Sequence, residues 1–118
     1  MRTIITLALT LAASGAFADE LGDAHKLALQ GRDSYWNCLA REYPRDTNKA
    51  MSEQDFTSLI TRVCPSERQN FRTSLVDFLT LQFPNAEAGT HLTTANRAIE
   101  LAQKDIVTAF VKRRAVPK

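Results

Sequence analysis

His25, His91, Cys38 and Cys64 are the side chains whose chemistry the rest of this sequence cannot supply. A histidine can pass a proton near neutrality or ligate a metal, and a thiol can attack, ligate or pair. A metal site on a helix needs its donors three or four positions apart, on one face. Asp23 stands two positions before His25 and points elsewhere, and neither a His-x-x-x-His nor a Glu-x-x-His pair occurs. Neither histidine is therefore expected to bind metal or to catalyse, and both should occupy solvent-exposed helix positions. Serine chemistry fares no better, since there is no Gly-x-Ser-x-Gly elbow. The four glycines, Gly15, Gly22, Gly31 and Gly89, are too dispersed for a phosphate-binding loop. No catalytic residue, cofactor or metal is expected.

The cysteines have a plainer use, which depends on compartment. The chain opens with Met1-Arg2-Thr3, an apolar run over residues 4–13, and then Ser14-Gly15-Ala16-Phe17-Ala18. A basic start, a short apolar run and a small-x-small ending make the pattern of a secretory signal peptide, cut between Ala18 and Asp19. The run is about half the roughly 20 residues that a membrane-spanning helix needs, so no stable membrane anchor is expected. No twin arginine and no cysteine after the cut redirect the export route or accept a lipid. A periplasmic or secreted location follows, and there the only two cysteines, Cys38 and Cys64, are natural disulfide partners. Closing that loop would stabilise the fold by roughly 3 kcal/mol. A redox-active pair would be expected as Cys-x-x-Cys, a spacing absent here.

A third group of residues suits contact with a protein. Tyr35, Trp36 and Tyr43 cluster before a proline. At 100° per residue Trp36, Leu39 and Tyr43 share a stripe, and Tyr35 lies one step away. Such rings either pack in the core and its rim or form a partner-binding hot spot, where tryptophan and tyrosine are favoured.

Four helices must position these groups. Leu21, Ala24, Ala28, Gly31, Tyr35, Cys38 and Leu39 recur at three-and-four spacing, giving a first helix limited by Pro44. Gly31 lies on its inner face, where the missing side chain lets another helix come close. Residues 44–50 read as a loop. Ser52 and Asp55 form a variant capping box, with Met51 and Phe56 as a hydrophobic staple. Phe56, Leu59, Ile60 and Val63 then make a short second helix, ended by Pro65, which can itself open the next one.

Ser66 and Gln69 offer a second capping box for a third helix that reaches about Gln82. Its apolar arc (Phe71, Leu75, Val76, Phe78, Leu79, Leu81 and Phe83) is wide, which suits a central helix or one with an apolar edge left for binding. After a turn over residues 85–89 the fourth helix carries Leu92, Ala95, Ile99, Ala102, Ile106 and Phe110 on one stripe. Its basic end, Lys112, Arg113 and Arg114, complements the helix dipole before Pro117. The expected fold is all-α: a small antiparallel four-helix bundle of three longer helices and one short, a single domain over residues 19–118, with one disulfide.

Removing residues 1–18 takes only Arg2 from a formal net charge of +2, so the mature chain is nearly neutral. Nucleic acid is thereby disfavoured as a partner, because binding its phosphates needs a clustered basic surface. Two functions of different class remain. One is a non-enzymatic binding module, inhibitor or accessory subunit, whose partner is another envelope protein. The other comes from a resemblance. Trp36-x-Cys38, the single later Cys64 and the run Glu67-Arg68-Gln69-Asn70-Phe71-Arg72 resemble a family of small periplasmic acid-stress chaperones. That likeness covers only these two segments and implies a helical fold with one disulfide that shields unfolded clients at low pH.

Intact-mass measurement of the protein from cells should give a chain beginning at Asp19 and lighter by two hydrogens, with neither thiol open to alkylation. A full-length chain with two free thiols would contradict both expectations.

Overall fold

The computed structural model describes the backbone of residues 2–115 and the side chains of residues 17–114. Met1, Pro117 and the side chains of the apolar run over residues 4–13 lie outside this description. Four helices form: α1 (Arg2–Ala40), α2 (Glu53–Arg62), α3 (Pro65–Gln82) and α4 (Thr90–Ala115), with a 3-10 turn at Asp46–Asn48. Every regular element among the described residues is helical, and the chain is a small four-helix bundle with one disulfide.

α1 runs without a break through Ala18 and Asp19. The side chains from Phe17 to Glu20 are exposed, Leu21 is the first that is even half-covered, and Ala28 is the first described residue that is buried. The described core therefore draws nothing from before Leu21.

Register follows from a few contacts. Cys38 bonds to Cys64, Gly31 faces Phe71 and Ser74, and the His25 ring lies 4.8 Å from that of Phe78, so α3 runs antiparallel to α1. Phe56 stacks on Phe110 with centroids 3.9 Å apart, and Arg72 Nε donates to Asn96 Oδ1 at 2.9 Å. α2 and α3 thus follow one another along α4, both antiparallel to it, with α2 on its C-terminal part. α2 therefore does not lie back along α1, as it would in a simple antiparallel bundle. The loop after α1 carries the chain past the end of that helix, and the break at Cys64 keeps α2 and α3 end to end.

The centre of the bundle differs from expectation. α4 packs against all three other helices, and its Ala95, Ile99, Ala102, Ile106 and Phe110 are buried. Of the wide α3 arc only Phe71 is buried, while Leu75, Val76, Phe78, Leu79 and Leu81 are half-covered and Phe83 is exposed. Periodicity measures how much of a helix surface is apolar; it does not say how many neighbours arrive to cover it. Leu92, although on the buried stripe of α4, sits in its first turn and is exposed.

Helix ends follow local chemistry. Ser52 Oγ accepts from Asp55 N at 3.1 Å, and Met51 and Phe56 both join the core, which is the expected cap and staple. The second expected box does not form, because α3 begins one residue earlier with Pro65 in its first turn and Cys64 as its cap. Proline suits that position since it needs no amide partner there. Cys64 itself is left-handed (φ 57°, ψ 48°), an unusual conformation for a residue with a side chain. Arg68 covers the end of α2 by donating to the carbonyl of Thr61 at 2.7 Å. Gly89 turns the chain into α4 at φ 89°, which only glycine adopts freely.

Gly31 is a close-approach point. A Cβ there would stand 2.8 Å from Ser74 Oγ and 3.1 Å from the Phe71 Cα. The hydroxyl can rotate away, whereas the Phe71 backbone must shift. Alanine is the better helix former by about 1 kcal/mol, but overpacking typically costs 1–3 kcal/mol. Gly31→Ala should therefore lower the unfolding free energy by about 1 kcal/mol in urea melts, and Gly31→Val by about 3. Adding Ser74→Ala should recover part of the first loss; a stabilising Gly31→Ala would refute the close contact.

Candidate functional site

The aromatic residues singled out by the sequence do not form one patch. Tyr35 is fully buried: its ring lies 6.4 Å from Phe71, and its hydroxyl accepts a 2.9 Å hydrogen bond from Gln103 Nε2. As a partner-binding residue it is corrected to a core residue. Its phenol sits inside because α4 supplies the polar partner that a buried hydroxyl requires.

Tyr43 falls beyond the end of α1, half-buried, with the Arg113 guanidinium 5.6 Å from its ring centroid. Trp36 remains. One residue past Tyr35, a 100° step turns it outward, 41% exposed, although it is the largest apolar side chain in the sequence. It lines a cleft of about 530 Å³ with Arg32, Asp33 and Asn37 of α1 and Asp105 of α4. Arg32 and Asp33 pair with each other at 3.1 Å, in the open.

A second concave surface lies on the other side of α1 and was not found from the sequence. Two adjoining cavities of about 470 and 310 Å³ run between α1 and α3 and share Leu27, Ser74 and Asp77. Their upper end carries the carboxylates of Glu20, Asp23 and Asp77 around Ala24, Leu27 and Leu81. The lower end is lined by neutral polar side chains such as Gln30, Ser34, Asn70 and Thr73. The spacing of Glu20, Asp23, Leu27, Gln30 and Ser34 does carry a helical period, but a polar one, which reads as an ordinary solvated face.

The histidines have structural partners. His25 is exposed, as expected, with its ring against Phe78. His91 is half-buried and not exposed: its Nε2 lies 3.1 Å from the Phe83 carbonyl, joining the first turn of α4 to the end of α3. Among the described residues no three of His, Cys, Asp and Glu converge in a way that could hold a metal ion.

The basic end of α4 is tied back to the loop after α1. Arg114 donates to the Met51 carbonyl at 2.7 Å and lies over Phe110, while Arg113 covers Tyr43. The same loop holds the two buried polar residues, Glu42 and Asn48. Asn48 Nδ2 donates to the Glu42 carbonyl at 2.9 Å. The Glu42 carboxylate lies 3.0 Å from Arg45 Nε, yet the N–H is not aimed at it, so the contact is an ion pair without a hydrogen bond. Asp46 is fully exposed, and the hydrogen bond and charge of Lys49, 2.9 Å away, hold its carboxyl below the usual aspartate range. A depressed carboxyl favours the fold above its unfolded pKa, and the benefit fades as pH falls through the folded value.

No family model, no curated protein and no solved structure matches this chain.

A carboxyl-detected NMR titration should place the Asp46 midpoint below that of an unstructured aspartate and return it to the ordinary value in Lys49→Gln. An unchanged midpoint in that variant would remove Lys49 as the cause.

Proposed function

We propose that this chain is the precursor of a small exported protein, periplasmic or secreted, that has no catalytic activity and acts by binding another envelope protein as an inhibitor or accessory module. The observation that carries the proposal is Trp36, exposed beside a cleft at the α1–α4 seam and held on a helix whose adjoining face is locked in the core by Tyr35 and Leu39. Tryptophan is enriched at binding hot spots because it buries a large area with few torsions to freeze. An exposed tryptophan on a rigid helix loses little entropy when covered.

Three further features support the reading. The leader-like residues precede everything the described core uses. The disulfide suits an oxidising compartment. No helix among the described residues is long and apolar enough to cross a membrane. The histidines, the residues best suited to proton transfer, serve instead as packing and capping groups.

A photo-crosslinking amino acid placed at position 36 should trap a discrete envelope protein in living cells, whereas one at Thr57 of α2, also exposed, should not. Trp36→Ala should weaken binding of the trapped partner by about tenfold or more, the usual mark of a hot spot, with the melting temperature unchanged. Equal trapping at both positions, or none, would overturn the proposal.

A further inference from the structure

An antiparallel helix pair leaves a groove on each side. On one side of α1 and α3 the groove is filled by α4, which packs against both. The groove on the other side faces outward. Here α2 is only ten residues long and packs on α4 beyond the end of α3, so it does not reach this groove. What stays open is the double cavity that shares Leu27, Ser74 and Asp77.

Its chemistry selects an occupant. Leu27 is 58% exposed at the junction of the two cavities, and Ala24 and Leu81 add apolar surface at the upper end. Glu20, Asp23 and Asp77 rim that end; among the described residues none of them forms an ion pair and no lysine or arginine lines either cavity. From Glu20 to Ser34 the α1 wall is about 21 Å long, the length of a helix of about fourteen residues. A second copy docked parallel about a two-fold axis would bring these carboxylates against their own equivalents, and one docked antiparallel would set them against the neutral lower end, so neither orientation gives them a cation.

We infer that the α1–α3 groove is a docking slot for an amphipathic helix of a partner protein, with apolar residues on one face and lysines or arginines flanking them. The slot rests on the binding-module reading above, and it assigns that module a second contact face, about 200° around α1 from Trp36. Leu27 is the apolar contact, and Asp77 with Glu20 and Asp23 sets the charge of the helix accepted.

The test titrates the protein isolated from cells with two synthetic helices of about fourteen residues, one carrying leucines flanked by lysines and one in which glutamates replace the lysines. The lysine peptide should bind at least about tenfold more tightly than its acidic counterpart, with loss of that preference at high salt. Amide shifts should concentrate on Leu27, Ser74 and Asp77. Asp77→Lys and Leu27→Ala, both at exposed positions, should each weaken binding about fivefold or more with helical content and melting temperature retained.

Equal binding of the two peptides, no binding of either, or shifts confined to the Trp36 cleft would overturn the slot. Self-association that Asp77→Lys abolishes would overturn it too, by assigning the groove to a second copy. A partner trapped through Trp36 that ignores both groove variants would leave the binding-module proposal standing and the slot refuted, so the two fail separately.

Discussion

The architecture depends on how the chain is broken and pinned between Arg62 and Pro65. Val63 is extended, Cys64 is left-handed and Pro65 starts a new helix, while the bond from Cys64 ties that joint to Cys38 near the end of α1. Without a break, α2 and α3 would form one rod. With it, α3 follows α1, and α2 is released to cap the far end of α4, where Phe56 and Ile60 enter the core beside Phe110. The covalent link also fixes the α1–α3 register that sets Gly31 against Phe71 and Ser74. It thus shapes the groove whose opposite side α4 fills.

The loop between α1 and α2 would otherwise be the weak region, since it must cross the end of the bundle with little regular structure. Its backbone demands are met from both sides. Asn48 binds the Glu42 carbonyl from within, and Arg114 reaches the Met51 carbonyl from the end of α4. A hydrogen bond contributes about 1 kcal/mol net, but leaving such a buried group unpaired costs more. The arginines at the end of α4 therefore do more than complement a helix dipole. Two of the three hold this loop against the core, and the basic end is correspondingly less available to anionic surfaces.

Local signals were legible in the sequence and spatial ones were not. Ser52 caps α2, Met51 and Phe56 join the core, Gly31 marks a close approach, and five of the six residues on the α4 stripe are buried, because each is decided by neighbours within a turn or by helical period. At α3 Pro65 opens the helix, as its fixed dihedral allows, and the Ser66–Gln69 box does not form. The larger misses concern which face meets which helix. Tyr35 lies on the inward stripe of α1 and Trp36 one step off it, but the residue that meets the buried hydroxyl, Gln103 of α4, has no signal in the sequence. The wide arc of α3 was visible, but its incomplete cover depends on a second helix too short and too displaced to reach it.

The same geometry bears on what kind of work the chain can do. The described core is built from apolar and aromatic side chains, and the two buried polar residues among those described, Glu42 and Asn48, belong to the loop they stabilise. The concave surfaces instead lie along helix seams, open to water and lined by exposed side chains of both polar and apolar kind. Rigid helix faces hold contacting residues more accurately than loops do. α1 carries Trp36 on one flank and Leu27 on the other, with the core stripe of Ala28, Tyr35 and Leu39 between them. The proposed binding role rests on this helix, anchored along its middle and uncovered on both flanks.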